Sequence, residues 1–300
     1  MWFSRNFFWR QEFDARVWKV SVDGGFGCPN RDGTRSTGGC IFCDPESFSP
    51  SRRTQFGSIT RQIDEGVRRL KRLRKADHFV AYFQPATNTH GPIDRLRALY
   101  EEAASHPAVI GLIIGTRPDC MGDDVVDLLA QFSRKTWLSV ELGLQTIHDR
   151  TLDWIGRGHS YREFLDAYAR ASNKGIRLGA HVILGLPGES REDMLATAGE
   201  LARLRVASVK LHNLHAVKGT RLARLVDAGE VVFPTLKSYV AQVVDFLEVL
   251  HPECVIDRLS GDAPPQYLVG PKWCHDKQAI RAAIEAEFRR RGTSQGAVGA

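Results

Sequence analysis

Between Val17 and His215 the sequence alternates short β-rich runs with amphipathic helical ones, and this alternation restricts the fold more than any other feature of the chain. Val17 to Val22 reads as a strand, and behind it Ile59, Ile63, Val67, Leu70 and Leu73 recur at helical spacing. His78 to Gln84 is a second strand, 91–106 a helix, and Ala108 to Thr116 a third strand. Asp123 to Phe132 is helical, 136–145 a fourth strand, 161–175 a helix closed by Gly175, and 176–186 a fifth strand. Ser190 caps a helix over 190–204 with acids in its first turn, and 207–215 is a sixth strand. Strict alternation of this kind builds parallel βαβ units with right-handed crossovers, hence a doubly wound sheet or a barrel. Six units favour an α/β fold of the partial (β/α)6 TIM-like barrel kind, although periodicity alone does not separate it from a flavodoxin-like sheet. In either architecture ligands gather at the carboxyl ends of the strands.

The barrel is expected to span 17–218, with an N-terminal extension over 1–16, a helix-and-strand extension over 219–290 and a disordered tail over 291–300. With 300 residues, 43% of them hydrophobic, the chain buries a substantial core. The aromatic N-terminus is broken by Arg5, Arg10, Glu12 and Asp14, so it lacks a signal-peptide core and is expected to dock on the barrel. No run approaches the roughly 20 apolar residues of a membrane span, so a soluble protein is expected. Six irregularly spaced cysteines without a secretory signal suit a reducing, cytoplasmic compartment.

Three of those cysteines stand together after the first strand, in GGFGCPNRDGTRSTGGCIFC. Cys40 and Cys43 can turn both sulfurs toward one centre, and Cys28 reaches it through a loop rich in Gly, Asn and Asp that tolerates tight turns. Thiolates select iron–sulfur clusters, zinc or copper(I). A closed zinc site wants a fourth protein ligand, whereas a cubane on three thiolates keeps one iron open. The CxxC pair alone also fits a structural zinc or a redox disulfide.

Polar residues fall where the alternation places strand ends: Gln84, Thr87, Asn88 and Thr89 after strand two, then Arg117 and Asp119 after strand three, where Pro118 stops the strand. Glu141 lies inside an apolar strand, where a carboxylate must be paired or functional, and Gln145 ends that strand. Arg157 offers a guanidinium suited to a carboxylate. Lys210 and His212 share one face of strand six; His212 and His215 fit an ordinary structural histidine better than a substrate contact, and Cys274 fits a buried inert thiol. The formal charge of +6 is locally concentrated, with seven basic residues from Arg61 to Lys75 and Arg52 and Arg53 just upstream. Such a face is either simply solvated or a footprint for a polyanion such as RNA.

The cysteine loop resembles that of radical S-adenosylmethionine (SAM) enzymes, with an expanded first gap in place of their common CxxxCxxC. GFGCPNRDGT followed by GGCIFC is similar to the YhcC/YtqA-like subgroup, related to elongator-type radical SAM proteins. The resemblance implies the barrel rather than the flat sheet, and a 4Fe-4S cluster on Cys28, Cys40 and Cys43 whose open iron chelates SAM. It implies cleavage of SAM to a 5′-deoxyadenosyl radical, with electrons from a donor such as flavodoxin or ferredoxin. It places Gln84 near the SAM ammonium, where others carry Gly-Gly-Glu, and makes Glu141 and Gln145 SAM contacts. It sets Arg157 near the SAM carboxylate and Leu184, in LGLPGE, at a backbone contact to adenine; Arg117 is a cofactor or substrate candidate. The implied substrate is tRNA, with a wobble-uridine side chain changed from carboxymethylaminomethyluridine toward aminomethyluridine. The chain length leaves no room for the acetyltransferase domain of the elongator-type relatives. A radical SAM enzyme acting on a small molecule or peptide, and a zinc-stabilised RNA-binding module without catalysis, are the alternatives.

Overall fold

The computed structural model describes residues 1–49 and 57–298; Arg52 and Arg53 fall outside the described residues. Helix α1 (Arg5–Phe13) leads into strand β1 (Val17–Val22), the cysteine loop and a single turn, α2 (Pro45–Phe48). The βα alternation follows as α3 (Ile59–Arg74), β2 (His78–Phe83), α4 (Ile93–Ala104), β3 (Val109–Thr116), α5 (Asp123–Ser133) and β4 (Trp137–Gln145). It continues through α6 (Asp149–Trp154), α7 (Tyr161–Ser172), β5 (Arg177–Leu184), α8 (Arg191–Arg203) and β6 (Ser208–Asn213). The C-terminal segment adds β7 (Ala216–Val217), α9 (Arg221–Asp227), α10 (Leu236–Val249), β8 (Val255–Arg258), β9 (Leu268–Gly270) and α11 (Lys277–Arg291).

The main sheet is parallel, in the order β1-β2-β3-β4-β5-β6-β8. Its outward positions are apolar: Phe79, Ala81 and Phe83, then Leu112 and Ile114, Val140 and Leu142, Ala180 and Val182, Val209 and Leu211. These bury against the helices in one core, which is the hydrophobic drive that fixes the register. The inward positions alternate with them and are polar, among them Lys19, Tyr82, Glu141, His181 and Lys210. Tyr82 on β2 meets Lys210 on β6 at 2.5 Å. Strands four places apart in a flat sheet stand roughly 19 Å apart, so this contact requires the sheet to curl into a partial barrel.

Six strands are expected from the alternation and a further one from CVIDRLSG in the C-terminal extension; the structure places that strand, β8, as the seventh of the main sheet. β8 pairs with β6 through Ser208↔Val255 and Val209↔Ile256, and the chain start covers its outer edge, with the Ile256 amide donating to the Phe3 carbonyl at 2.8 Å. Helix α1 docks on the barrel, its buried Trp9 packing with Val17, Val80, Tyr82 and Ile113 and edge-on to Trp137. The expected loose tail is tied down as far as it is described. Gln295 is buried; it accepts from the Phe3 amide at 2.9 Å and donates to the carbonyls of His251 and Cys254, both at 2.8 Å.

Helix α3 runs antiparallel to β1. Its first turn is pinned at the strand's carboxyl end, where the Gln62 amide donates to Asp23 O at 2.9 Å and accepts from Asp23 N at 2.7 Å. Gly66 lets the helix approach, since a Cβ there would stand 2.4 Å from Val20. At the other end Arg74 lies 5.5 Å from the Trp18 ring centroid.

Candidate active site

A cavity of about 210 Å³ opens at the carboxyl ends of the strands, and Cys28, Cys40 and Cys43 all line it. The loop that carries them follows β1 and is braced from three sides. Ile41 N donates to Ile155 O at 2.9 Å, Leu222 N to Ile41 O at 2.8 Å, and Thr87 N to Gly27 O at 3.1 Å. Arg35 adds ion pairs to Glu163 at 2.5 Å and Asp119 at 3.5 Å. Among the described residues, no three His, Cys, Asp or Glu side chains are gathered as closely as the ligands of one ion. The thiols nonetheless feel one another: burial first, then the charges of Cys40 and Cys28, push the Cys43 thiol up to about 12.

Two polar side chains point at the Cys40 sulfur. Asn30 Nδ2 lies 3.6 Å from it and Arg157 Nη1 3.5 Å. Arg157 is held by Gly143, whose carbonyl accepts its Nη2 at 2.8 Å and lies 3.1 Å from His159 Nε2. The register of β4 against β5 shifts between Leu142 and Gln145, and such a bulge turns the Gly143 carbonyl from the sheet ladder toward the side chains. Gln145 closes the bulge at φ +79°, a left-handed conformation a glutamine keeps only where its surroundings enforce it. Arg117 spends its donors locally, on both oxygens of Asp119 at 2.9 Å and on Arg157 O at 2.9 Å. Burial, then the Arg157 and Arg117 charges, push His159 down to about 3, so its imidazole is neutral.

Below the cavity Glu141 is 1% exposed and does not line the wall. It accepts from Lys19 Nζ at 2.9 Å, Tyr82 Oη at 2.8 Å, His181 Nε2 at 2.6 Å and Lys210 Nζ at 3.1 Å. Burial opposes its charge, but Lys19 and Lys210 outweigh burial and hold its carboxyl well below the usual range. Burial pushes Lys210 down to about 8.

The radical SAM superfamily matches residues 25–201, and the Radical_SAM C-terminal domain matches 206–290. The chain belongs to the radical SAM superfamily. It is 40% identical over 291 residues to the uncharacterized protein YtqA of Bacillus subtilis (strain 168), covering 97% of this chain and 90% of that one. A tRNA uridine(34) acetyltransferase of Methanocaldococcus jannaschii is 26% identical over 172 residues, 56% of this chain and 31% of that protein. Among solved structures, the Methanocaldococcus infernus Elp3 lacking its first 46 residues superimposes with a TM-score of 0.71 at 17% identity, over 93% of this chain and 64% of that one. This likeness shows the fold, the partial barrel of radical SAM proteins.

Radical SAM proteins bind a 4Fe-4S cluster and SAM, and the residues at the mouth fit both groups. Burial and the neighbouring sulfurs disfavour a bare thiolate at Cys43, and a cationic metal held by the three cysteines would offset that. The N–H donors aimed at Cys40 are of the kind that tune cluster sulfurs. On the same wall Gln84, Thr87, Arg117, Gln145 and Arg157 are gathered with the cysteines, and Thr87 Oγ1 is buried without a partner.

Two of the expected SAM contacts, Glu141 and Leu184, lie off the cavity wall. Glu141 is directed inward but sits too deep along β4 to reach the wall, and its oxygens are already taken by four donors. Leu184 occupies an outward position and packs in the core, and its carbonyl accepts from Leu214 N at 3.1 Å, while Ile183 takes the cavity side. Gln84 does line the cavity, with Ser21 Oγ 3.2 Å from its Oε1. Cys274 is fully buried with Val217, Ala263 and Leu268, its thiol pushed up to about 11, as an inert thiol would be. Asn30, His159 and Tyr82 were not singled out as site residues by sequence. The available signal was the glycine pair around Arg157: Gly156 and Gly158 have φ of +62° and +70°, and a Cβ on Gly158 would lie 2.4 Å from Asn30 Oδ1.

Proposed function

We propose that the protein is a radical SAM enzyme that modifies the side chain of the wobble uridine in tRNA. The observation that carries the enzymatic part is the convergence of Cys28, Cys40 and Cys43 with Gln84, Arg117, Gln145 and Arg157 on one cavity at the sheet's carboxyl edge. When bound, the reduced cluster supplies the electron that breaks SAM into methionine and a 5′-deoxyadenosyl radical, which takes a hydrogen atom from the substrate.

The chain's own residues supply position and charge. Arg157 and Asn30 donate toward the Cys40 sulfur, and Arg157 is the guanidinium beside the expected place of the SAM carboxylate. Gln84, Thr87 and Gln145 offer neutral polar groups to the rest of SAM. Arg117, held by Asp119, acts as a positioning residue and donates directly to the Arg157 carbonyl. Trp9 and its neighbours close the far end of the barrel against water. The tRNA part is supported by the partial similarity to a tRNA uridine(34) acetyltransferase and by the exposed basic residues of α3.

One observation favours a second reading, a small-molecule or peptide substrate. The last turns of α3, with Arg68, Arg69, Lys71, Arg72 and Arg74, lie at the amino-terminal end of β1 and not at the mouth. The radical SAM membership displaces the zinc-stabilised binding module.

The test is anaerobic purification with metal analysis, then dithionite and SAM. Iron at about four per chain with 5′-deoxyadenosine formed, both lost in Cys40→Ala, supports the enzyme; zinc without iron refutes it. Accumulation of one hypomodified wobble uridine in tRNA from a deletion strain supports the substrate, and unchanged tRNA refutes it.

A further inference from the structure

The same cavity carries a second set of polar groups, contributed by β2, β5, β6, β8 and the loop after β8. Its lining includes Tyr82, His181, Lys210, His212, Arg258 and Asp262. His212 is the clearest sign of a missing partner, since its Nε2 is buried and meets no hydrogen-bonding group. A buried unsatisfied nitrogen is costly, so its retention at a cavity wall points to a ligand.

The charge balance says what kind of ligand. Every carboxylate in this ion-pair chain is shared by two cations. Lys19 and Lys210 hold Glu141 at 2.9 and 3.1 Å, and Lys19 and Arg5 flank Asp257, both at 3.6 Å. Arg258 and Lys277 hold Asp262, both at 3.0 Å. Of these groups Lys210, Arg258 and Asp262 line the cavity, two cations against one carboxylate. The three histidines add no compensating charge, because burial lowers His181, His212 and His215 and keeps them neutral. Lys210 gives two of its three donors to Tyr82 and Glu141, which leaves one for a ligand.

We propose that Lys210 Nζ, His212 Nε2 and Arg258 form a substrate subsite for an anionic oxygen group, a carboxylate or a phosphate. The assignment rests on reading this cavity as the reaction chamber of a radical SAM enzyme. The excess positive charge supplies the attraction, and the low-dielectric floor strengthens it. The open imidazole nitrogen, as its N–H tautomer, donates a second, directional bond. The thiols and Arg157 line the same cavity, so a substrate anchored here shares the chamber with them.

The test is thermal unfolding of the iron-loaded protein with malonate, inorganic phosphate or chloride at matched ionic strength. At ten times its dissociation constant, a bound anion raises the melting temperature by about 3 °C. The expected result is such a rise with malonate or phosphate and none with chloride, abolished in Lys210→Met and in His212→Leu. The responding anion identifies the source. His212→Leu removes only an unpartnered nitrogen, so it decides the matter should Lys210→Met fail to fold. Equal shifts in wild type and variants, or an equal shift with chloride, overturn the subsite. Wild-type protein that modifies tRNA yet shows no anion effect sinks the subsite and leaves the tRNA reading standing. An anion effect without tRNA binding does the reverse.

Discussion

The deep placement of Glu141 is tested by Glu141→Gln. Four donors converge on the carboxylate at 2.6 to 3.1 Å, two of them lysine ammonium groups. An amide keeps one acceptor and adds two donors, so Lys19 and Lys210 lose their counter-charge in a buried site. Breaking a buried ion pair from one side costs about 3–5 kcal/mol. The lower end applies, for two reasons. Lys19 retains Asp257 at 3.6 Å, and Lys210, already pushed down to about 8, can shed its proton near neutral pH. A loss of about 3 kcal/mol lowers the melting temperature of a chain this large by about 6 °C. The assay is a melting curve on the iron-loaded protein beside a titration with SAM. A large thermal loss with SAM affinity nearly kept is the expected result. A melting temperature within about 2 °C of wild type together with SAM affinity about tenfold weaker would show Glu141 to be an accessible cofactor contact, and would refute the placement. Because Glu141 and Lys210 are in direct contact, the double variant Glu141→Gln/Lys210→Met should lose less than the sum of the singles, by about 1–3 kcal/mol.

Gly158→Ala drives a Cβ to within 2.4 Å of Asn30 Oδ1 at a φ of +70°, so it should loosen the cysteine loop; iron content per chain after reconstitution should fall, and an unchanged count would count against the bracing role of Asn30. His159 titrates at about 3 when folded and near 6.5 when unfolded, so the unfolded chain takes up the extra proton between those values. Stability should therefore fall as pH drops through that window, by roughly 1.4 kcal/mol per pH unit, and this slope should be absent in His159→Gln when urea unfolding is followed against pH. Arg157→Lys keeps the charge but cannot reach Gly143 O and the Cys40 sulfur together; a shift in cluster reduction potential with normal iron content is expected, and an unmoved potential would show that the guanidinium contact to sulfur is idle.

Much of this was legible in the sequence because the signals are local. Strand β2 shows its outward Phe79, Ala81 and Phe83 at a period of two, and α3 shows Ile59, Ile63 and Val67 on one stripe, so type and position of both elements follow from nearest neighbours. What failed depends on depth and distance. Alternation directs Glu141 inward but does not tell how far along the strand the cavity begins, and two residues decide it: Gly143 opens to the wall, Glu141 does not. Strand β8 was legible as a strand in CVIDRLSG, but its partner β6 lies more than forty residues earlier, so nothing local tells that it joins the main sheet. Asn30, Asp119 and His159 gain their roles only when the loops after β1, β3 and β4 are folded together.

The direction of α3 sets a condition on any RNA partner that charge counting along the sequence could not supply. A helix of 16 residues is about 24 Å long, and this one begins beside the mouth and ends beside Trp18. Arg61 alone of its basic residues lies in the first turn, while Arg68 through Lys75 crowd the far half, exposed and with a Glu65 partner for Arg68 only. A nucleotide in the cavity and a phosphate on Arg72 are therefore separated by most of the height of the barrel. An RNA that uses both must reach several nucleotides beyond the reacting base, and a mononucleotide cannot span them. The far-end charge then contributes affinity and salt dependence without touching the reacting base, which is the division between backbone positioning and base contact that RNA enzymes require. If the substrate is instead small, the same arginines have no catalytic consequence, and their charge can be reversed at no loss to turnover.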